Sequence, residues 1–281
     1  MHHAPVRGSA LDRLPRPARG QSPDLSPQCR VALLGGFRLV VDGRAGALPA
    51  ASQRLVALLA LEGRSTRSRV AGTLWPDSSE ERALASLRTV IWRVNQVAPG
   101  VVVTANGSLD LGSSVQVDVR CFLESATVLM RDPHSGTEWQ DLVGAGGELL
   151  ADWSDDWLLP HRQRLRQLQM HLLETASEEL SSRGRFGIAL EAALAVLRAD
   201  PLRESAHRAV IRVHVAEGNV VEARRAFVEC RSLLRRELGV APSPQTVHVL
   251  DGAGDGRDPV PPPQQQPAAR RVGALQGLTQ R

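Results

Sequence analysis

The side chains best suited to chemistry in this chain lie between residues 82 and 96, and the chemistry they suit is recognition of a polyanion and of base edges. At about 100° per residue, Leu84, Leu87, Ile91 and Val94 fall in one narrow arc of a helix. Arg82, Ser86, Thr89, Arg93 and Gln96 fall in the opposite arc, and none of these carries an acid that would repel phosphate. Arg pairs with guanine O6 and N7, Gln with adenine, and Ser or Thr with a base edge or a phosphate oxygen. Arg88 and Trp92 are expected at the flanks of that arc, where a guanidinium or an indole N–H reaches the sugar-phosphate backbone. A polar arc is also what any solvated helix presents, so the order of the surrounding elements has to decide.

Other chemistry is poorly provided for. All 34 basic side chains are Arg. A chain without lysine has no Schiff base, no lysine general base and no lysine-dependent phosphate loop. Cys29, Cys121 and Cys230 are scattered, with no CxxC or Cys/His spacing, which argues against zinc and for a reducing compartment. No GxxxxGK, HExxH or GxSxG is present, and the His residues stand apart from acids at catalytic spacing, so the expectation is a non-enzyme with no cofactor and no metal. The longest apolar stretch, near Leu55 to Leu61, is far short of the ~20 residues that span a bilayer, and no signal-peptide run opens the chain. A cytoplasmic protein with no membrane partner is expected. A formal charge of +4 and a pI near 10 favour an acidic partner such as nucleic acid.

The elements that must position the polar arc follow from turn and cap signals. Residues 1–28, rich in Pro, Arg, Gly and Ser, and residues 251–281, rich in Pro and Gln, read as tails too poor in apolar residues to offset chain entropy. Two segments, 29–130 and 148–250, are joined by a Gly-rich linker over 131–147. The first opens with a strand pair, VALLGGFRLVVDG, ended by Asp42-Gly43. A helix capped by Ser52 and stopped at Gly63 follows, then a short one capped by Ser65 or Thr66 and ended at Pro76, whose Arg67 and Arg69, with Arg64 before them, suit phosphates. The helix of the polar arc starts at Ser78 or Ser79, has Glu80 and Glu81 in its first turn, and ends before Pro99 and Gly100. VVVTA and SLDL around Asn106-Gly107 form a hairpin. Strand pair, helix, helix, longer helix and hairpin is the order of a winged helix-turn-helix, in which an α-helix enters the major groove.

The second segment is helical by pattern and repeats. GRFGIALEA from Gly184 and GNVVEARRA from Gly218 align 34 residues apart, with Ala189 opposite Ala223 and Phe186 opposite Val220. That period belongs to tetratricopeptide-type helix pairs, which stack because one pair cannot bury its own apolar face. A preceding helix over about 161–181 carries Leu165, Leu168, Leu172, Leu173 and Leu180. Trp153, Trp157 and Phe227 suit core or interdomain packing, and Arg203, Glu204 and His207 suit a salt-bridged helix start. The expected fold is therefore mainly α with a small β component: an N-terminal winged helix followed by a tetratricopeptide-like all-α part.

VALLGGFRLVVDG, RLVALLALEGR, SRVAGTLWPD, ALASLRTVIWRVN, the Asn-Gly hairpin and VQVDVRCF together resemble the OmpR-type winged-helix domain of the Streptomyces antibiotic regulatory protein family. ELLADWSDDWLLPHRQRLRQL, ADPLRESAHRAVIRVHVAEGN and RRELGVAPSP resemble the bacterial transcriptional activation domain of the same family. The resemblance implies that Ser86, Arg88, Thr89, Trp92 and Arg93 face DNA and that the hairpin wing meets the adjacent minor groove. Many family wings carry Arg or an aromatic residue near the tip, whereas this one offers Thr104, Asn106 and Ser108. It further implies a cytoplasmic, nucleoid-associated activator of secondary-metabolite genes that binds repeated sites in double-stranded promoter DNA, self-associates there and contacts RNA polymerase holoenzyme. Larger relatives append a nucleotide-hydrolysing module, and this chain is expected not to need ATP. Two alternatives use the same fold: a ligand-sensing repressor, and a tetratricopeptide-type adaptor whose winged helix contacts protein.

Overall fold

The computed structural model describes residues 29–132, 139, 143 and 146–254. The expected tail over 1–28, most of that over 251–281 and much of the 131–147 linker lie outside these residues.

Three short strands open the fold: β1 (Cys29–Ala32), β2 (Arg38–Val41) and β3 (Arg44–Gly46). The β2–β3 turn is tight because Asp42 and Gly43 both take positive φ, 48° and 79°, the primed geometry that matches strand twist. Later in the chain, β7 (Val115–Val117) pairs parallel with β1, giving the antiparallel-parallel order β3-β2-β1-β7. One carboxylate locks this closure. Asp118, buried at the start of α4 (Asp118–Arg131), accepts from the backbone N–H groups of Leu33 (3.0 Å), Leu34 (3.0 Å) and Val119 (2.7 Å). Arg120 of the same helix donates to the carbonyls of Leu59 and Ala60, both at 2.9 Å, near the end of α1.

Helix α1 (Ala50–Glu62) is apolar on nearly every side, and residues 55–60 are all buried, so it forms the centre of the N-terminal half. Pro49 occupies its N-cap; Ser52, expected as the cap, lies inside the first turn, fully buried, with its hydroxyl unpartnered. The apolar surroundings set the helix start one turn earlier than the cap signal did. Gly63 stops it, at φ 73°.

Helix α2 (Arg67–Leu74) is capped by Thr66, whose hydroxyl accepts from the Arg69 N–H. Helix α3 (Glu80–Val97) starts from Ser79. The strands β5 (Val102–Ala105) and β6 (Ser108–Leu111) enclose Asn106 and Gly107 at φ 51° and 75°. A two-residue strand, β4 (Ser65–Thr66), adds to β6 and makes the hairpin a three-stranded sheet.

The C-terminal half consists of α5 (Leu159–Ser182), α6 (Phe186–Ala199), α7 (Glu204–Ala216), α8 (Val220–Leu238) and α9 (Pro244–Gly254). The 34-residue period is visible in the geometry. Gly184 and Gly218 both turn left-handed, α6 and α8 start at the matched Phe186 and Val220, and Ala189 and Ala223 are both fully buried where neighbouring helices approach.

The two halves share one hydrophobic core that runs from Val31 and Leu59 to Leu165 and Leu180. Backbone hydrogen bonds stitch it: Gly35 N–H to Glu148 O and Leu150 N–H to Leu33 O, both 2.8 Å. Phe37 stacks on Trp153 at 6.1 Å between centroids, Arg54 pairs with Asp155, and Arg162 donates to the carbonyls of Leu149, Leu150 and Trp153. The expected packing role of Trp153 is seen directly in that stack. Trp157 packs edge-on to His161 and donates to Asp155, and Phe227 is half-buried on α8.

Candidate nucleic-acid interface

Helix α3 is amphipathic, but its buried line is rotated from the one its sequence suggests. Ala83, Leu87, Val90 and Val94 are fully buried, while Leu84 and Ile91 are half-buried. Helix α3 packs against α1 and α2 and buries small Ala83 and branched Val90, while the larger Leu84 and Ile91 are half-buried at the edge of its buried side. The rotation moves the outward face as well. At about 100° per residue, the direction opposite the buried line passes through Trp92, Ala85 and Gln96.

Trp92 is consequently at the centre of the exposed face, 62% exposed, not at its flank. A large indole presented to solvent in mid-helix has no packing role in the isolated fold. Thr89 and Gln96 lie beside it and are exposed, Arg82 and Arg93 are exposed on one side, Arg88 is exposed on the other, and Ser86 is half-buried against the core edge. The Thr89 hydroxyl donates to the Ala85 carbonyl at 3.2 Å, leaving its lone pairs outward. Arg82, Arg88 and Arg93 have no hydrogen-bond or ion-pair partner among the described residues. Arg88 and Arg93 make the middle of this face locally electropositive, while Arg82 adjoins the exposed Glu80 and Glu81 of the first turn.

The basic residues near α2 divide. Arg69 is engaged by Glu62 at 3.2 Å, an acid that also lies 3.9 Å from His161 of α5, so part of its charge is already answered within the chain. Arg67 instead donates to Thr104 Oγ1 (3.3 Å) and Arg64 to the Ala105 carbonyl (3.2 Å), both on the wing. Two arginines therefore flank a hairpin whose own tip, Thr104 to Gly107, is exposed and uncharged. Arg64 is the residue least evident from the sequence alone. Its place beside the wing depends on β4, a pairing of two residues that no periodicity can signal.

Nucleophiles are scarce. Burial pushes the thiols of Cys29 and Cys230 up to about 11, with nearby Asp42 and Glu204 adding to the effect, which keeps both protonated and unreactive near neutrality. Among the described residues no cluster of His, Cys, Asp and Glu could hold a metal ion, and no helix is long and apolar enough to cross a membrane. Arg203, Glu204 and His207 serve the helix start. Arg203 grips Glu174 through two bonds of 2.7 and 3.0 Å, Glu204 accepts from Ser243 and Thr246, and His207 Nε2 bonds the Pro201 carbonyl at 2.9 Å.

Comparison with known proteins gives this arrangement a context. The family model for the bacterial transcriptional activator domain matches residues 145–251. The regulatory protein AfsR of Streptomyces coelicolor is 30% identical over 248 residues, covering 82% of this chain and 24% of that protein. Its counterpart from Streptomyces griseus is 26% identical over 251 residues, covering 84% and 26%. The chain thus spans about a quarter of the length of the curated relatives it matches. Among solved structures, Mycobacterium tuberculosis EmbR, in complex with a low affinity phosphopeptide, has the same fold at a TM-score of 0.68 and 16% identity, over 81% of this chain and 65% of that one.

Proposed function

We propose, for a chain that belongs to the Streptomyces antibiotic regulatory protein family of transcriptional regulators, that it acts as a sequence-specific, DNA-binding activator of secondary-metabolite genes. In this reading residues 29–130 are the DNA-binding domain, residues 148–250 the activation domain, and 131–147 the connection between them. Helix α3 enters the major groove of repeated promoter sites, with Arg93, Thr89 and Ser86 toward base edges and Arg82, Arg88 and Gln96 toward edges or backbone. Trp92, at the centre of the face, offers an apolar surface to a thymine methyl or a deoxyribose. Arg67 and Arg69 approach phosphates beside α2, and Thr104 and Asn106 present the wing. Copies on neighbouring sites reinforce one another and recruit RNA polymerase holoenzyme.

The observation that carries this reading is the outward face of α3, where Arg88 and Arg93, without an acidic partner, stand on either side of an exposed tryptophan and Arg82 lies nearer the helix start. A solvated helix face tolerates such residues, but a surface indole with an arginine on either side, neither answered by an acid, fits a polyanion that also has apolar groups. Affinity should come mainly from arginine–phosphate contacts and so fall steeply with salt.

Gel shift and fluorescence anisotropy on DNA upstream of the chain's own coding region test it. Arg93→Ala should weaken specific binding by about 1–3 kcal/mol and relax preference at one base position. An unchanged footprint and affinity for that variant would sink the assignment. The ligand-sensing alternative has one feature in its favour, an open cleft of about 430 Å³ between α5 and α7 lined by His171, Ser181, Arg208 and Arg212. A promoter-reporter assay fixes the sign of regulation, and a thermal-shift screen against small molecules tests the cleft.

A further inference from the structure

The outer face of α8 carries charge that no acid among the described residues answers. Ala223, Cys230 and Leu234 turn inward and are at most 2% exposed. At about 100° per residue Arg231, Arg224, Arg235, Val228 and Val221 form one exposed stripe on the flank of the helix, about 80° to 160° from that buried line, with Ser232 beside it. Val221 and Val228 are 61% and 48% exposed, and Leu238 and Val240 just beyond are 54% and 49% exposed. Arg225 and Arg236 are paired with Glu222 and Glu237. Arg224, Arg231 and Arg235 are exposed and have no hydrogen-bond or ion-pair partner among the described residues.

Exposed valines set between unpaired arginines suit a protein partner better than a phosphate track. Phosphates need only donors and positive charge, whereas the centre of a protein interface combines apolar contact with arginine. The occupant should therefore be an acidic surface with an apolar edge. The chain itself has one. At the α2–α3 turn, Asp77 and Glu80 are exposed and have no basic partner among the described residues, and they adjoin half-buried Trp75 and exposed Pro76.

We propose that the outer face of α8 docks on the α2–α3 turn of a second copy of this chain, arginines to acids and valines to the Trp75-Pro76 edge. The two patches differ, so the contact is head to tail and does not close on itself; it extends copy by copy. This names the surfaces behind the self-association in the functional reading above, and rests on that reading only for its use along DNA. Such a contact would align successive copies on successive sites of one duplex.

Sedimentation velocity of the full chain without DNA, at about 50 mM and about 500 mM salt, is the test. At low salt the wild-type sedimentation coefficient should climb through a concentration series without levelling at a dimer, and high salt should return it to monomer. Arg224→Glu with Arg231→Glu in one protein, and Asp77→Arg with Glu80→Arg in another, should each weaken association about tenfold or more. An equimolar mixture of the two should restore it, because each reversed patch then meets its reversed complement. All substituted positions are exposed, and a circular-dichroism melt confirms that each variant is folded before its result is counted. Wild type that stays monomeric at low salt, variants that associate like wild type, a plateau at dimer, or a mixture that remains monomeric would each overturn the proposal. So would a loss of affinity for a single DNA site in the α8 variant with association intact, since the face would then be a phosphate track. Arg93→Ala should associate like wild type, so loss of DNA reading and loss of docking are separately visible.

Discussion

Asp118 and Trp92 show how much single side chains carry. Asp118 satisfies three backbone N–H groups from inside the core, and two of them belong to the β1–β2 loop, which also bonds Glu148 and Leu150 of the C-terminal half. Truncation leaves those donors buried without acceptors, at about 1–3 kcal/mol each before relaxation. Asp118→Ala should lower unfolding free energy by about 3 kcal/mol or more, read as a shift of the urea midpoint at constant slope. Trp92 gives the opposite expectation. At 62% exposure it contributes little to folding, so Trp92→Ala should leave the melting temperature nearly unchanged while lowering affinity for promoter DNA. A variant that unfolds early, or one that binds DNA as wild type does, counts against its place at the centre of the reading face.

Among the elements, α7 is pinned at its start through two carboxylates, Glu174 on α5 and its own Glu204, which reaches Ser243 and Thr246 at the start of α9. Burial alone would raise the Glu174 carboxyl, but the hydrogen bonds from Arg203 and Ser205 and the Arg203 charge outweigh it and hold it below the usual carboxylate range. Glu204 is likewise lowered: burial is outweighed by the donors of Ser243 and Thr246, at 2.5 to 2.8 Å, and by Arg208. A carboxyl more acidic folded than unfolded stabilises the fold above its unfolded pKa, near 4.3, and that stability is lost as pH falls through the folded value. Unfolding free energy measured in urea from about pH 6 to pH 3 should therefore drop. Glu174→Gln should start lower at neutral pH and lose less on acidification; an acid limb parallel to wild type would show that the Arg203 pair contributes nothing.

At the scale of the molecule, the winged-helix elements and the helical repeats are not beads on a string. The core is continuous from β1 to α6, and the Gly35–Glu148 and Leu150–Leu33 bonds join the halves backbone to backbone. Urea unfolding followed by tryptophan fluorescence, which reports five tryptophans of which Trp153 and Trp157 lie at the junction, and by circular dichroism, which reports all helices, should give coincident transitions. Two separated transitions would mean that the halves fold independently. Asp155→Ala removes the partner of Arg54 across the junction and should lower the shared midpoint rather than split it.

Most local features of this protein were legible in its sequence because they depend on near neighbours in the chain. Thr66, one of two candidate caps, caps α2; Ser79, one of two candidates, begins α3; Gly63 ends α1, Asn106-Gly107 turns the wing, and Gly184 and Gly218 turn the chain just before helices 34 residues apart. The face of α3 was legible as polar but not as centred on Trp92, since that centre depends on which side of the helix packs against its neighbours. Ser52 was not the cap, because α1 starts after Pro49 and buries Ser52 in its first turn. Tertiary structure alone decided that β7 closes the first sheet through Asp118, 85 residues from Leu33, and that Arg64 sits against a wing 41 residues away. It alone fused the two halves. Hydrogen bonds and packing between segments so distant in sequence leave no period and no motif behind, because each partner looks ordinary until the chain brings it to the other.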